Sequence, residues 1–192
     1  TTYEIVNVDS ITFSKVENPD PETGNHEYVD LGLSVKWATC NVGSDTPEGY
    51  GNYYAWGETT TKTTYDWNTY RYCNGSYNTL TKYCDNPSDG YNGFTDSLSI
   101  LQASDDAVTA NWGAGWRIPM HTEMNELINN CIVIWTTQNG VNGYLFTGPN
   151  GNSIFLPVTG GRYDSIINYA SSHGYYWSSS ILTGSPSNVW FL

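Results

Sequence analysis

The clearest helical pattern in the chain covers residues 120–131. Its apolar residues are spaced i, i+3, i+4 and i+7, which places them on one face of an α-helix. They are Met124, Leu127, Ile128 and Cys131. Pro119, directly before this segment, suits a helix start, and Glu123 and Glu126 favour the N-terminal half because carboxylates stabilise that end of the helix dipole.

A shorter helix is predicted over residues 104–111. Ser104 is the candidate N-cap, and Asp105 and Asp106 lie in the first turn. Two neighbouring carboxylates could also suggest glycoside hydrolysis, which needs a pair of acids about 5–10 Å apart across a cleft. Favourable interaction with the helix dipole explains this pair better than catalysis does. It also explains Glu123 and Glu126 in the helix predicted over residues 120–131.

Short apolar runs between turn-forming residues predict β-strands elsewhere. Residues 143–147 and 153–156 flank a Gly-Pro-Asn-Gly-Asn turn, which predicts a β-hairpin. Residues 57–100 have almost no period, so a long irregular segment is expected there. The sum is an α+β fold with short antiparallel strands, two helices and long loops. Further strands are predicted over residues 28–31, 35–38, 50–56, 132–136, 175–177 and 189–192.

The N-terminal segment, residues 1–25, differs from the rest of the chain. Residues 3–8 and 11–13 alternate like a strand pair around Asp9-Ser10, and residues 19–25 resemble a loop or linker. We therefore divide the chain into a leader segment, 1–25, and a domain, 26–192. The chain starts at Thr1 without Met, which is typical of a processed or trimmed product.

Composition excludes several classes of partner. The chain carries 7 Lys+Arg against 19 Asp+Glu, a formal net charge of −12. That is too little positive charge to release counterions from nucleic acid, or to dock on an anionic membrane surface. The apolar runs are far shorter than a membrane span, so no membrane insertion of this chain is expected. Aromatic residues make up 15% of the chain, enough to build a core.

Few motifs point to catalysis or to a cofactor. No nucleophile elbow, zinc-protease motif, phosphate-binding loop or dinucleotide motif occurs, and no cofactor is predicted. The spacing of Cys73 and Cys84 would allow a disulfide in an exported protein, with reduced, partly buried thiols as the alternative. Residues 85–90 loosely resemble a calcium loop, but an Asx turn explains them better. His173 lies near Ser178–Ser180, where a loop histidine is the simpler interpretation.

The C-terminal segment, residues 162–192, has the composition of a binding surface. Tyrosines alternate with Ser, Asn and Gly, as in antibody-type loops, and aromatic faces beside polar side chains also suit sugar rings. Trp177, Trp190 and Phe191 are expected to be core strand residues, with the loop residues between them exposed. The predicted ligand-binding residues are Arg162, Tyr163, Asp164, Ile166, Ile167, Asn168, His173, Tyr175, Tyr176, Ile181, Leu182, Thr183, Ser185 and Asn188.

Nine blocks of the sequence carry a family resemblance: residues 26–43, 51–58, 105–107, 111–113, 115–119, 123–131, 136–144, 151–157 and 176–180. In this order they resemble a large paralogous family of exported domains from gut Bacteroidetes and Fibrobacter. The resemblance implies a C-type-lectin-like fold related to formylglycine-generating enzymes, and a protein exported to the cell surface or beyond, from a precursor that can be lipid-anchored. Some relatives are targets of diversity-generating retroelements, and in those the segment matching 162–188 is a hypervariable ligand-binding face.

The sequence departs from this family in four ways. Met120 stands where Thr is usual, and the lectin-type calcium motifs are absent. The reactive cysteine pair of the formylglycine-generating enzymes is also absent, since the last cysteine is Cys131. Relatives continue past the position of Leu192 into a final strand, and residues 1–13 are a candidate to fill that place.

Three functions remain open from the sequence. The first is a non-catalytic ligand-binding module whose ligand is a glycan or a protein on the cell exterior. The second is an enzyme, either a divergent relative of the formylglycine-generating class or a hydrolase. The third is a structural adhesin subunit that uses the C-terminal segment to contact another protein. A cleft with a strongly shifted titratable group would favour the enzyme, and a flat aromatic surface would favour binding.

Overall fold

The computed structural model describes residues 26–192. The strand pair and linker predicted for residues 1–25 lie outside the described residues. Within the described part, short antiparallel strands and two small helices confirm the predicted α+β class. The helices are α1, Ala107–Trp112, and α2, His121–Asn130. The strands are β1 Tyr28–Val29, β2 Trp37–Ala38, β3 Ile132–Gln138, β4 Val141–Thr147, β5 Ser153–Pro157, β6 Gly161–Tyr163, β7 Ile166–Asn168, β8 Trp177–Ile181 and β9 Val189–Phe191.

The β4–β5 hairpin was predicted correctly. The two strands pair antiparallel with Phe146 opposite Ile154, and Gly148 donates its N–H to the Asn152 carbonyl at 2.8 Å to close the turn. Strand β3 adds to the other side of β4, so the sheet order is β3-β4-β5. The strands β1–β2, β6–β7 and β8–β9 form separate two-stranded ribbons.

The predicted strand over residues 50–56 was wrong. This segment has no regular structure, because aromatic side chains hold it in place of a strand ladder. The Tyr53 hydroxyl donates to the Thr159 carbonyl at 2.6 Å, and the buried Trp56 indole N–H donates to the Ser178 carbonyl at 2.8 Å. Long-range hydrogen bonds of this kind leave no periodic signal in the sequence.

Helix α2 was predicted within one residue at each end. Met120 is its N-cap residue, and its side chain makes no capping hydrogen bond. The Glu123 carboxylate accepts the Met120 backbone N–H at 2.7 Å, which supplies the carboxylate half of a capping box. Arg117 also donates to both carboxylate oxygens of Glu123.

Helix α1 begins later than predicted. Ser104 lies in a single 3-10 turn, and the N-cap is Asp106. The Asp106 carboxylate accepts the N–H groups of Val108 at 2.8 Å and of Thr109 at 3.0 Å, and its second oxygen accepts the N–H of Ile118 at 2.8 Å. An aspartate that satisfies three backbone donors is a stronger cap than the serine two residues before it.

Two hydrophobic clusters form the core. One joins β4, β5 and α2 through Leu31, Leu127, Phe146 and Ile154. The other is mainly aromatic and contains Trp56, Tyr72, Tyr83 and Ile181. The second cluster packs inside the long irregular segment, so aromatic packing stabilises a region that has almost no secondary structure.

Asp105 is a buried carboxylate paired with the partly exposed Lys82 and is not a helix-end charge, which corrects the sequence-based interpretation. Its side chain is almost fully buried and accepts hydrogen bonds from Lys82 Nζ and from the Tyr83 hydroxyl, both at 2.5 Å. Burial by itself would raise the pKa of Asp105, but the hydrogen bonds from Lys82, Tyr83 and Tyr72 outweigh it and lower that pKa to about 2.

The four cysteines are free thiols, so the disulfide that the sequence left open between Cys73 and Cys84 does not form. Each of these two sulfurs points to a backbone carbonyl instead: Cys73 Sγ donates to Trp67 O at 3.0 Å, and Cys84 Sγ to Asn86 O at 3.1 Å. Over residues 26–192, no three His, Cys, Asp or Glu side chains are grouped as metal ligands. In the loop that resembled a calcium site, Asn86 Oδ1 accepts the Ser88 N–H in an Asx turn.

Candidate ligand-binding site

The β6–β7 hairpin presents apolar side chains to solvent. Tyr163 pairs with Ile166 across the hairpin, and these side chains are 70% and 62% exposed. Two backbone hydrogen bonds of 2.9 Å between Asp164 and Tyr65 fix the tip of the hairpin against the long irregular segment. Ile167 is exposed as well. The hairpin is therefore held in one orientation although its side chains make few contacts.

The next segment, residues 169–176, folds back on the sheet through backbone hydrogen bonds. Gly160 donates its N–H to the His173 carbonyl at 2.7 Å, and Ser171 donates to the Val158 carbonyl at 2.9 Å. The His173 N–H in turn reaches the Tyr169 carbonyl at 3.0 Å. This loop is consequently pinned at several points, and the rings that it carries are pre-positioned.

Five rings form a continuous surface, which we call the aromatic belt: Tyr169, His173, Tyr175, Trp177 and Phe191. Neighbouring ring centroids lie 5.4 Å apart between Tyr169 and His173, and 6.1 Å apart between His173 and Tyr175. The series continues with 5.6 Å from Tyr175 to Phe191 and 6.3 Å from Phe191 to Trp177. Tyr169 is 63% exposed and Phe191 55%.

The belt corrects the expectation that Trp177, Trp190 and Phe191 are core residues, since all three are exposed. In strand β8 the small polar residues Ser178 and Ser179 are buried, whereas the large aromatic residue Trp177 is exposed. This is the reverse of the burial expected for a strand that packs on a core. The Trp56 indole N–H donates to the Ser178 carbonyl of β8. The Trp56 ring therefore packs on the buried face of this strand, where small serine side chains leave room for it. Trp190 lies apart from the belt and stacks on His121.

A groove of about 830 Å³ opens beside the belt. Tyr169, Tyr175, Trp177 and Phe191 contribute to its lining. The rest of the lining is mainly apolar and includes Tyr28, Trp37, Trp116, Ile118, Leu156 and Leu192. Among the described residues, the buried Trp37 Nε1 and Arg162 Nε have no hydrogen-bond partner.

Three titratable groups of the groove, Cys40, Tyr176 and Glu123, have pKa shifts that keep them in their ordinary charge states at neutral pH. Burial raises the pKa of the Cys40 thiol, and burial also raises the pKa of the Tyr176 hydroxyl, which donates to Pro157 O at 2.7 Å. Burial would raise the pKa of Glu123 too, but the bonds from Arg117 and the Met120 N–H lower it. The thiol and the phenol therefore keep their protons and the carboxylate stays ionised, an arrangement that suits binding better than proton transfer.

Nine of the fourteen predicted site residues lie at or beside this groove. Arg162, Tyr163, Asn168, Tyr175 and Tyr176 line it, and Tyr176 is only partly exposed. The other four are exposed on the hairpin or the following loop: Asp164, Ile166, Ile167 and His173.

The remaining five predicted residues do not line the groove, so the structure does not bring all fourteen together on one face. Ile181 is only 2% exposed and belongs to the aromatic core cluster. Leu182, Thr183, Ser185 and Asn188 occupy the turn at the other end of the β8–β9 ribbon from Trp177 and Phe191. That turn is attached to the long irregular segment through the Gly184 N–H, which Asp85 accepts at 2.8 Å.

Several site residues were missed by the sequence analysis. Tyr169 and Phe191 carry the aromatic belt, and the rest of the groove lining comes from positions far apart in the chain. The Tyr-rich segment around Tyr50, Tyr53 and Tyr54 was the available signal, since the groove takes all three of these residues from it.

Comparisons with protein-family models, with curated proteins and with solved structures found no match for this chain. Neither α-helix in residues 26–192 is long and apolar enough to cross a membrane.

Proposed function

We propose that this chain is a non-catalytic ligand-binding module of an exported or cell-surface protein, with a C-type-lectin-like fold. The ligand binds on the aromatic belt and the adjacent face of the β6–β7 hairpin. The observation that carries this proposal is the unbroken series of four contacts that joins five rings, held on hydrogen-bonded backbone, with four of the five rings exposed to solvent. The short strands, two helices and long irregular segments, together with the family resemblance of the sequence, support the fold assignment.

A carbohydrate is the ligand class that this surface favours. Ring faces stack against the C–H faces of a sugar, and nearby polar side chains bond to its hydroxyl groups. Arg162 and Asn168 line the groove beside the belt and supply such groups. Because the backbone of the belt is fixed before binding, little conformational entropy is lost when the ligand arrives.

The enzyme alternative has less support. A cysteine nucleophile reacts as the thiolate, which requires a lowered pKa. Burial instead raises the pKa of Cys40, Cys84 and Cys131. The strongly shifted Asp105 lies in the core beside Lys82, where its low pKa serves an ion pair.

The adhesin alternative rests on a separate observation. Ile166 and Ile167 are exposed on the hairpin, and aliphatic side chains do not stack on sugars as rings do. A protein partner that covers these two residues would bury apolar area at about 25 cal/mol per Å². This function predicts that the hairpin contributes more to binding than the belt.

A glycan array followed by titration calorimetry tests the proposal. The full chain is screened, and the best glycan is titrated against the double variant Tyr169→Ala/Tyr175→Ala. We expect affinity to fall at least about tenfold, because each lost stacking contact is worth about 1 kcal/mol. The matched control is Tyr91→Ala, an exposed tyrosine on a 3-10 turn outside the groove.

The result also separates the alternatives. If Tyr169→Ala/Tyr175→Ala binds the glycan with unchanged affinity, the proposed site is contradicted. If no glycan binds, and a purified surface protein binds in a manner that Ile166→Ser/Ile167→Ser abolishes, the adhesin function is favoured.

A further inference from the structure

The groove carries more positive charge than its own acidic side chains neutralise. The protein has only 7 Lys+Arg against 19 Asp+Glu, yet three of the cations, Lys36, Arg117 and Arg162, line the groove. Among residues 26–192, Glu123 is the one acidic member of the lining, and it is paired with Arg117. Two positive charges therefore remain on the lining, in a cleft whose apolar walls strengthen their attraction for an anion.

Arg162 is a cation that is held in place without a partner for its charge. Its guanidinium carbon lies 5.3 Å from the centre of the Tyr65 ring, and Tyr65 is itself buried and donates its hydroxyl to the Tyr53 carbonyl at 2.6 Å. Within the described part of the chain, no carboxylate forms an ion pair with Arg162. Of its three guanidinium nitrogens only Nε is buried without a partner, so the two terminal nitrogens are the ones that a ligand can reach.

The aromatic belt adjoins this cation. Gly161 precedes Arg162 in β6, and the Tyr175 ring packs on Gly161 so closely that a β-carbon there would lie 3.0 Å from Tyr175 Cδ2. Asn168 pairs with Gly161 across the hairpin and also lines the groove. A sugar that stacks on Tyr175 therefore lies beside a stretch of hairpin that carries both a guanidinium and an amide.

The chemistry of Arg162 and the charge of the whole protein favour one kind of anion. A planar guanidinium binds a carboxylate through two parallel hydrogen bonds, whereas the exposed ammonium of Lys36, which lies over the Tyr28 ring at 4.2 Å, acts as a point charge. With a formal net charge of −12, the protein repels densely charged polyanions. These two facts favour a sugar that carries a single carboxylate over a heavily sulfated one.

We propose that the ligand of the aromatic belt is an acidic saccharide, whose sugar ring stacks on Tyr175 and whose carboxylate pairs with the terminal nitrogens of Arg162. This inference rests on the proposed function, since it names the class of glycan that the belt binds. Uronic acids and sialic acids share the required chemistry. The neutral form of the same glycan keeps the stacking contact and loses the charge-assisted hydrogen bonds, so it binds more weakly.

Calorimetric titration of the full chain with matched pairs of glycans tests the inference. The pairs are galacturonic acid oligomers, glucuronic acid oligomers and sialyllactose, each with the same glycan after its carboxylates are reduced to alcohols. In at least one pair the acid should bind at least about tenfold more tightly than its reduced form, and the preference should shrink at high salt, which screens the charges. The inference is overturned if no acid binds more tightly than its reduced form, or if heparin, which is densely sulfated, binds more tightly than every carboxylated glycan.

Variants assign the preference to Arg162. Arg162→Gln should reduce the ratio of the two affinities, acid over reduced form, to about one. Arg162→Lys keeps the charge without the paired hydrogen bonds and should give an intermediate ratio. The matched control is Arg71→Gln, because Arg71 also lies over a tyrosine ring, 5.4 Å from the centre of Tyr72, but does not line the groove. A full ratio in Arg162→Gln, or an equal fall in Arg71→Gln, would overturn the assignment.

The belt variant separates a failure of this inference from a failure of the proposed function. Tyr169→Ala/Tyr175→Ala should weaken the binding of the acid and of its reduced form by a similar factor, because both forms stack on the rings. If that variant weakens both forms but the unmodified chain does not distinguish them, the inference fails and the proposed function stands. If both forms bind the variant as tightly as they bind the unmodified chain, the proposed function fails, and the inference fails with it.

Discussion

Two regions of this protein are built from the same kinds of residue and use them in opposite ways. The long irregular segment, residues 57–100, and the site segment, residues 161–177, both combine aromatic rings with small polar residues. In the first, Tyr72 and Tyr83 are buried in the core. In the second, Tyr163 and Tyr169 are largely exposed.

The difference lies in the polar groups that the rings meet. The Tyr83 hydroxyl donates to Asp105 and accepts the Gln102 N–H, so its burial leaves no polar atom unsatisfied. The Tyr163 and Tyr169 hydroxyls have no hydrogen-bond partner among residues 26–192, and water or a ligand must supply one. For these tyrosines, burial accompanies a hydroxyl whose hydrogen bonds are satisfied within the protein, and exposure accompanies one that is left to solvent or a ligand.

Removing the central carboxylate of the buried region should have the largest effect. Asp105→Ala removes the acceptor shared by the partly exposed Lys82 and the buried Tyr83 hydroxyl, and it should lower the free energy of unfolding by about 2–4 kcal/mol. Urea denaturation measures the change. The control is Asp45→Ala, an exposed aspartate, for which a shift within about 0.5 kcal/mol is expected. Equal effects for the two variants would refute the structural role of Asp105.

The same substitution in each region compares them directly. Tyr83→Phe leaves the buried Asp105 carboxylate and the Gln102 N–H with one partner fewer, at a cost of about 1–3 kcal/mol. Tyr169→Phe removes an exposed hydroxyl and should change stability by less than about 0.5 kcal/mol. Thermal and urea unfolding of both variants provide the measurement, and a large loss for Tyr169→Phe would show that the belt is structural.

The low pKa of Asp105 predicts an acid-sensitive component of stability. Because the folded-state pKa is lowered to about 2 from 3.8, this component is present in full above pH 3.8 and is lost as the pH falls through about 2. Its size is about 1–2 kcal/mol after allowance for solvent screening. Urea unfolding of the wild type and of Asp105→Asn should differ less at pH 2 than at pH 6. A constant difference would contradict this explanation.

The smallest expected change is a gain at the start of α2. Met120→Thr places a hydroxyl at the N-cap, where it can accept the Glu123 N–H and complete the capping box. The expected stabilisation is about 0.5–1 kcal/mol. Met120→Ser should give a similar gain, and a loss in both variants would mean that the methionine side chain stabilises the protein through packing.

Local patterns predicted the local elements of this fold. The apolar spacing gave α2 within one residue, and the turn residues at 148–152 gave the β4–β5 hairpin. The strand predicted over residues 50–56 failed because Tyr53 and Trp56 bond to distant backbone groups. The correct predictions concern elements whose stabilising contacts are close together in the sequence. The failed prediction concerns a segment whose stabilising contacts are far apart in the sequence.

The site was only partly predictable for the same reason. The composition of the C-terminal segment identified Tyr163 and Tyr175, but it could not separate them from Ile181, which strand β8 places in the core. Alternation in β8 does not reveal which face is buried, since that depends on Trp56, which lies far earlier in the chain. The groove depends on contacts between residues equally far apart, and no local pattern encodes it.

The central claim is that ligand binds on the aromatic belt, and hydroxyl-radical footprinting with and without a bound glycan tests it most directly. Oxidation of Tyr169, Tyr175 and Trp177 should fall when the ligand is added, while the exposed Tyr77 and Tyr91 should be oxidised as before. Protection that appears at Tyr77 or Tyr91 and leaves the belt unchanged would contradict the account.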